Sequence, residues 1–152
     1  ETDLTGRVVD YTALEPFPLS PALLAEMDHA AALDLPARTV PFLDLMALKE
    51  GATAQPSPLF RFQVLATPAQ ELDRCAAYDL IYFDAFGPAT QPGMWTLDVF
   101  QRMFKALSPG GILVTYCAKG VVRRTMQAAG FTTERVPGPV GKKEMLRATK
   151  PH

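Results

Sequence analysis

Two periods of apolar residues alternate along this chain. From Arg7 to Glu15 (RVVDYTALE) the spacing is that of a strand, and Pro16 and Pro18 stop it. Ser20 followed by Pro21 is a helix start, and Leu23, Leu24, Met27 and Ala31 continue it on one face. Residues 36–58 are rich in Pro, Ala and Gly, with a short helical turn predicted near 42–49. A strand is predicted at 60–66 (FRFQVLA), and a short helix at 68–76 beginning on Pro68.

The second half has a stronger pattern. Residues 78–84 (YDLIYFD) form a nearly continuous apolar run, as expected for a parallel strand covered on both faces. After a turn-rich loop, Thr96 caps a helix whose Leu97, Phe100, Met103, Phe104 and Leu107 share a stripe. The SPGG at 108–111 ends that helix and ILVTY at 112–116 is the next buried strand. Residues 119–130 read as a helix finishing on Gly130. Two closing strands follow at 131–136 and 144–150. The whole, residues 1–152, is expected to be a single α/β domain: a twisted sheet, mostly parallel, ended by an antiparallel hairpin.

Composition adds limits. With 152 residues and 48% hydrophobic content, the chain is of the size of one domain with a real core. No signal peptide is expected, and no apolar run approaches the roughly 20 residues that span a bilayer. The expected location is cytoplasmic. Cys75 and Cys117 are expected to be small buried apolar residues and not a disulfide framework. His29 and His152 are isolated, so no metal site is expected. The first residue is Glu1, and the chain is expected to be an N-terminally truncated fragment.

Charge is unevenly spread beneath a net −1. Residues 1–100 hold five Lys/Arg against 14 Asp/Glu, a net −9; residues 101–152 hold 10 against two, a net +8. A basic C-terminal third suits a polyanion such as RNA, and equally suits the solvation of exposed faces.

Candidate chemistry lies at the carboxyl ends of the predicted strands, where open α/β sheets bind ligands. Glu15 closes the first, and an acidic residue there suits the two hydroxyls of a ribose; the alternative is a surface or capping carboxylate. Asp84 closes the third, facing the same crevice, and a carboxylate after so apolar a run needs a partner or a task. Tyr116 and Cys117 close the fourth.

Three segments together carry a resemblance: YDLIYFDAFGPATQPGMWTLDVFQRM from residue 78, LSPGGILVTYCAKGVVRRTMQAAGF from residue 107, and PGPVGKKEMLRA from residue 137. With YTALEPFPLS at 11–20, they resemble the MnmC-type methyltransferase domain over residues 8–149. That family uses S-adenosylmethionine to methylate the aminomethyl group of a wobble uridine in tRNA. The resemblance implies a Rossmann-like class I methyltransferase sheet, with S-adenosyl-L-methionine as cofactor and tRNA as partner. It also implies roles for residues. Glu15 would hold the cofactor ribose, and Asp84 would lie near both the transferred methyl and the substrate amine. Phe86, Pro88, Met94 and Trp95, with Pro92, would shape the substrate pocket, and Lys142 and Lys143 would stand at its rim beside Glu144. For Trp95 the residues alone allow a second reading, as core beneath the loop.

Two departures from the family pattern are visible. Its first strand and Gly-rich turn should precede residue 8 and are absent, and Ala66-Thr67 stand where many relatives carry an acidic residue. The 152 residues alone are therefore expected to bind the cofactor weakly and to have doubtful activity. An aminopropyltransferase-like enzyme and a non-catalytic RNA- or partner-binding remnant are the alternatives. The first would need further acidic residues for a polyamine, which the Gly-Pro-Ala-Thr-Gln loop does not supply. The sequence does not fix an oligomeric state.

Overall fold

A computed structural model describes residues 6–27 and 39–152, with the backbone alone for 39–42. The chain falls into two compact units, Glu1–Pro68 and Ala69–His152. Among the described residues no strand ladder joins them: one sheet has the order β1-β3-β2 and the other β4-β5-β7-β6.

In the N-terminal unit, β1 (Val9–Leu14) runs parallel to β3 (Phe60–Leu65), in register from Val9–Phe60 to Leu14–Leu65. Helix α1 (Pro21–Glu26) starts as its sequence predicts, with the Ser20 hydroxyl accepting from the Leu23 amide at 3.3 Å. The expected continuation to Ala31 falls outside the described residues. Helix α2 spans Thr39–Met46. An element without a sequence signal is β2 (Thr53–Ser57), an edge strand antiparallel to β3. Its register shifts between Ala54 and Ser57, around Pro56, and an edge is where a strand tolerates a residue lacking the N–H donor. Only Leu24 and Val64 are buried apolar residues among those described in this unit.

The C-terminal unit holds most of the core. Its sheet pairs β4 (Tyr78–Tyr82) with β5 (Leu107–Thr115) in parallel, while β7 (Glu144–Thr149) is antiparallel to both β5 and β6 (Thr132–Pro137). The closing antiparallel hairpin is the one expected from the sequence, whereas the described strands form two mixed sheets in which three pairings are antiparallel and two parallel. Helix α3 (Leu97–Ala106) is capped by Thr96, whose hydroxyl accepts from the Val99 amide. It buries Val99, Phe100, Met103 and Ala106. Helix α4 (Gly120–Ala128) buries Val122 and Met126, while Arg123 and Arg124 stay exposed.

Several expectations change. The helix predicted over 68–76 is only a 3₁₀ turn at Ala69–Glu71. The SPGG segment does not separate a helix from a strand; β5 already begins at Leu107. Pairing moves from Tyr78–Leu107 to Leu80–Ile112, so β5 holds several extra residues against β4. Gly110 supplies the left-handed backbone, φ +77, that this bulge requires. Cys117 is buried as expected, but Cys75 is exposed. Finally, β4 is not covered on both faces, for Leu80 is 44% exposed and Tyr82 65%. They pair with Ile112 and Val114, which are also only half-buried, so one face of this sheet carries apolar residues that the helices of its own unit leave uncovered.

Candidate functional site at the end of the fourth strand

The site in the C-terminal unit follows from a strand's two-residue alternation. Ladder bonding continues one residue past β4, where the Phe83 amide donates to the Val114 carbonyl at 2.8 Å. Tyr82 therefore faces out, Phe83 in, and Asp84 out again. Phe83 enters an aromatic cluster, edge-on to Trp95 at 5.2 Å and tilted against Phe100 at 5.3 Å. Asp84 is exposed, so the desolvation cost expected of a carboxylate closing an apolar strand does not arise.

The loop after Asp84 is closely tied. Thr90 and Gln91 amides both donate to the Gly87 carbonyl, at 2.8 and 2.9 Å, and a 3₁₀ turn at Pro92–Trp95 leads into α3. The buried Trp95 indole N–H donates to the Phe86 carbonyl at 2.8 Å. Gln91 Oε1 accepts from the Phe86 amide at 3.2 Å, and the Tyr116 hydroxyl donates to the Ala85 carbonyl at 2.9 Å. Despite these ties the Phe86 ring is 74% exposed. Leaving such a ring in water forgoes about 1.5–3 kcal/mol of burial.

The fold brings several of the residues singled out by sequence to this place. Lys142, on the turn between β6 and β7, sets its ammonium 5.0 Å from the centre of the Tyr116 ring, and Tyr116 supports the loop. Lys143 is exposed on the same turn, its carbonyl accepting from the Gly138 amide. Pro88 and Met94 are half-buried in the loop. Glu15 belongs to the N-terminal unit, half-buried one residue past β1, with its amide donating to the Leu65 carbonyl at 2.9 Å. Sequence reasoning missed Gln91 altogether and gave Tyr116 no task. Their contacts run from side chain to backbone, a pairing that leaves no periodic trace.

Chemically, Asp84 offers an exposed carboxylate, two residues before the exposed ring of Phe86. The fit to a sulfonium nucleoside is partial. Glu15, placed at the carboxyl end of a parallel strand, suits a ribose diol. Among the described residues, however, no glycine with a left-handed backbone connects a strand end to a helix start. Those with positive φ are Gly6, Gly51, Gly110, Gly130 and Gly141, and none occupies such a turn. The same residues contain no group of three or more His, Cys, Asp or Glu placed to hold a metal, and no helix long and apolar enough to cross a membrane.

Parallel strand pairs flanked by helices and an antiparallel closing hairpin are consistent with an α/β, Rossmann-like methyltransferase architecture. The chain belongs to a family of S-adenosyl-L-methionine-dependent methyltransferases, whose model matches residues 62–151. It is 29% identical over 150 residues, 94% of its length, to the bifunctional tRNA 5-methylaminomethyl-2-thiouridine biosynthesis protein MnmC of Pseudomonas fluorescens. It spans only 22% of that relative. Among solved structures, the fold is shared with MnmC2 from Aquifex aeolicus, with a TM-score of 0.59 and 22% identity over 77% of this chain and 39% of the other. A possible exported protein from Bordetella parapertussis also matches, with a TM-score of 0.52 and 16% identity over 95% of this chain and 54% of that one. The MnmC-type resemblance read from the sequence is thus found again in the comparisons.

Proposed function

We propose that this methyltransferase acts on an amine, the aminomethyl group of a tRNA wobble uridine, with Asp84 as its catalytic carboxylate. The observation that carries the reading is the exposed Asp84 followed by the outward Phe86 ring on a tied loop. The similarity to a tRNA-modifying relative supports the choice of substrate. When bound, the cofactor supplies a methyl group on a sulfonium that a lone pair can attack.

An alkyl amine is protonated near neutral pH, so its lone pair must be freed. The Asp84 carboxylate accepts a hydrogen bond from the amine, orients it, and takes up its proton or passes it to water. Phe86 stacks on the uracil ring once the base is exposed from the tRNA, and Pro88 and Met94 shape the wall beside it. Lys142 and Lys143 meet the phosphates flanking the base. Glu15 holds the ribose hydroxyls of the cofactor. Because an in-line displacement depends on alignment, positioning supplies much of the rate.

The test is methyl incorporation into undermodified tRNA by the intact protein, with nucleosides resolved by mass spectrometry. Asp84→Asn should retain cofactor affinity and lose about 10²-fold or more in turnover. Unchanged turnover would overturn the assignment of Asp84. A product methylated elsewhere than on the aminomethyl group would overturn the substrate.

A further inference from the structure

Two consecutive residues of the loop, Ala85 and Phe86, are held by side chains from three separate positions. Tyr116, just past β5, donates its hydroxyl hydrogen to the Ala85 carbonyl at 2.9 Å. Gln91, at the front of the 3₁₀ turn, accepts from the Phe86 amide at 3.2 Å. Trp95, at the end of that turn, donates to the Phe86 carbonyl at 2.8 Å. Both backbone polar groups of Phe86 are therefore fixed by side chains, while its ring is 74% exposed.

The holding residues are themselves held. Trp95 is buried in the aromatic cluster, edge-on to Phe83 at 5.2 Å and to Tyr116 at 6.3 Å. The ammonium of Lys142 lies 5.0 Å from the Tyr116 ring centre. Gln91 is half-buried, and its own amide is tied to the Gly87 carbonyl at 2.9 Å. A loop that served only to connect β4 to α3 would need none of this. It would gain more by folding the Phe86 ring onto the sheet than by fixing the backbone that points it outward. The arrangement is one of preorganisation: rigid supports around a group whose own contacts are still to be made.

We propose that Tyr116 and Gln91, with Trp95, are positioning residues for methyl transfer. Tyr116 holds the carbonyl of Ala85, the residue next to Asp84, and so limits the movement of the backbone that carries that carboxylate, and Gln91 and Trp95 fix the direction of the Phe86 ring. The proposal rests on the reading that Asp84 and Phe86 face the amine-bearing base. None of the three touches the reacting atoms; they act through the backbone of Ala85 and Phe86.

The test pairs kinetics with a measurement that needs no substrate. In the intact protein, Gln91→Ala should speed hydrogen exchange of the Phe86 amide by about 3–10-fold, the worth of one lost hydrogen bond. Gln91→Glu should leave it slow, because a carboxylate oxygen still accepts from that N–H. On undermodified tRNA, Gln91→Ala and Tyr116→Phe should each lower kcat by about 10-fold or more, with the KM for S-adenosylmethionine unchanged and Gln91→Glu restoring the rate. Asp84→Asn and Phe86→Ala are run alongside. Unchanged exchange in Gln91→Ala would overturn the proposal. So would normal turnover of Gln91→Ala and Tyr116→Phe when Asp84→Asn and Phe86→Ala are impaired, and the site reading would then stand. Normal turnover of Asp84→Asn and Phe86→Ala would overturn both together.

Discussion

The two compact units are built from similar elements but differ in what they bury. Among the described residues, each has a parallel strand pair, antiparallel pairing beside it and two α-helices. Among the described residues, the N-terminal unit buries Leu24 and Val64, whereas the C-terminal unit fully buries Phe100, Leu107, Leu113, Met126 and Leu146, with many more nearly so. Helix α3 accounts for much of the difference, since its single apolar stripe covers one face of the β4–β5 pair. The comparison shows that a strand pair with the right pattern does not make a core. A long amphipathic helix laid against it does.

If that contrast holds, it should appear first in cofactor binding. The cofactor of the family needs a ribose partner and a backbone nest for its charged end; Glu15 is the residue proposed for the first, and among the described residues no left-handed glycine forms the second. Calorimetric titration of the 152-residue chain with S-adenosylmethionine should show weak binding or none. Tight stoichiometric binding would break the claim and make Glu15→Ala the next variant to examine.

Next in size are core truncations. Phe100→Ala removes a ring with 0% exposure from the aromatic cluster and should cost the C-terminal unit about 3–5 kcal/mol. Val64→Ala should cost the N-terminal unit less, about 1.5 kcal/mol. Trp95, the only tryptophan, reports on the C-terminal unit by fluorescence, with far-UV circular dichroism following the rest. Denaturant unfolding should move the fluorescence transition in Phe100→Ala and hardly at all in Val64→Ala. Equal shifts in both would mean that the units unfold as one.

A finer contrast lies within one sheet. Leu113 is fully buried, while Leu80 on β4 is 44% exposed. Leu113→Ala should cost about 2–5 kcal/mol, and Leu80→Thr should stay within about 0.5 kcal/mol of the parent by the same unfolding measurement. A large loss in Leu80→Thr would show that the second face of the sheet is covered in solution.

The smallest effects belong to surface ion pairs of the C-terminal unit. Lys105 beside Asp73 at 2.6 Å, and Arg147 beside Glu134 at 2.8 Å, hold both carboxyl groups below their ordinary values, chiefly through the hydrogen bond each accepts. A carboxylate depressed in the folded state stabilises the fold above its unfolded pKa, and that stabilisation is lost as pH falls through the lowered value. Unfolding midpoints should therefore drop slightly further below about pH 4 in the parent than in a Lys105→Met, Arg147→Met double variant. The difference should fade at 1 M salt, where screening acts over about 3 Å.

Local chemistry was legible where one residue decides the outcome. Ser20 and Thr96 start helices because their hydroxyls satisfy amides that the helix cannot. Gly130 follows α4 with φ +107, as a helix-ending glycine should. The failures share a cause. Strand β2 has no apolar alternation and exists because β3 offers it a ladder, and the Ser-Pro-Gly-Gly of β5 looks like a turn until Lys150 pairs with it. The Gly110 amide donates to the Lys150 carbonyl at 2.9 Å, and the Lys150 amide to the Gly111 carbonyl at 2.9 Å. The 68–76 segment has a helix start but no apolar stripe long enough to hold the helix. At the site, the loop string pointed to Asp84, Phe86 and Trp95, but the contacts of Gln91 and Tyr116 were invisible.

By itself, then, the sequence determined the α/β class, the closing hairpin, the helix caps at Ser20 and Thr96, and a carboxylate at the end of the strand that starts at Tyr78. These depend on period, on single capping residues and on an idiosyncratic loop string, all of them local. Tertiary structure alone decided that Asp84 stands in water while Phe83 turns inward. It also decided that Tyr116, 31 residues from Ala85, reaches back to hold the loop, and that Leu80 and Tyr82 of β4 are not covered by the helices of their own unit. Such outcomes depend on which surfaces meet, and a pattern along one dimension specifies that a face is apolar without specifying what will cover it.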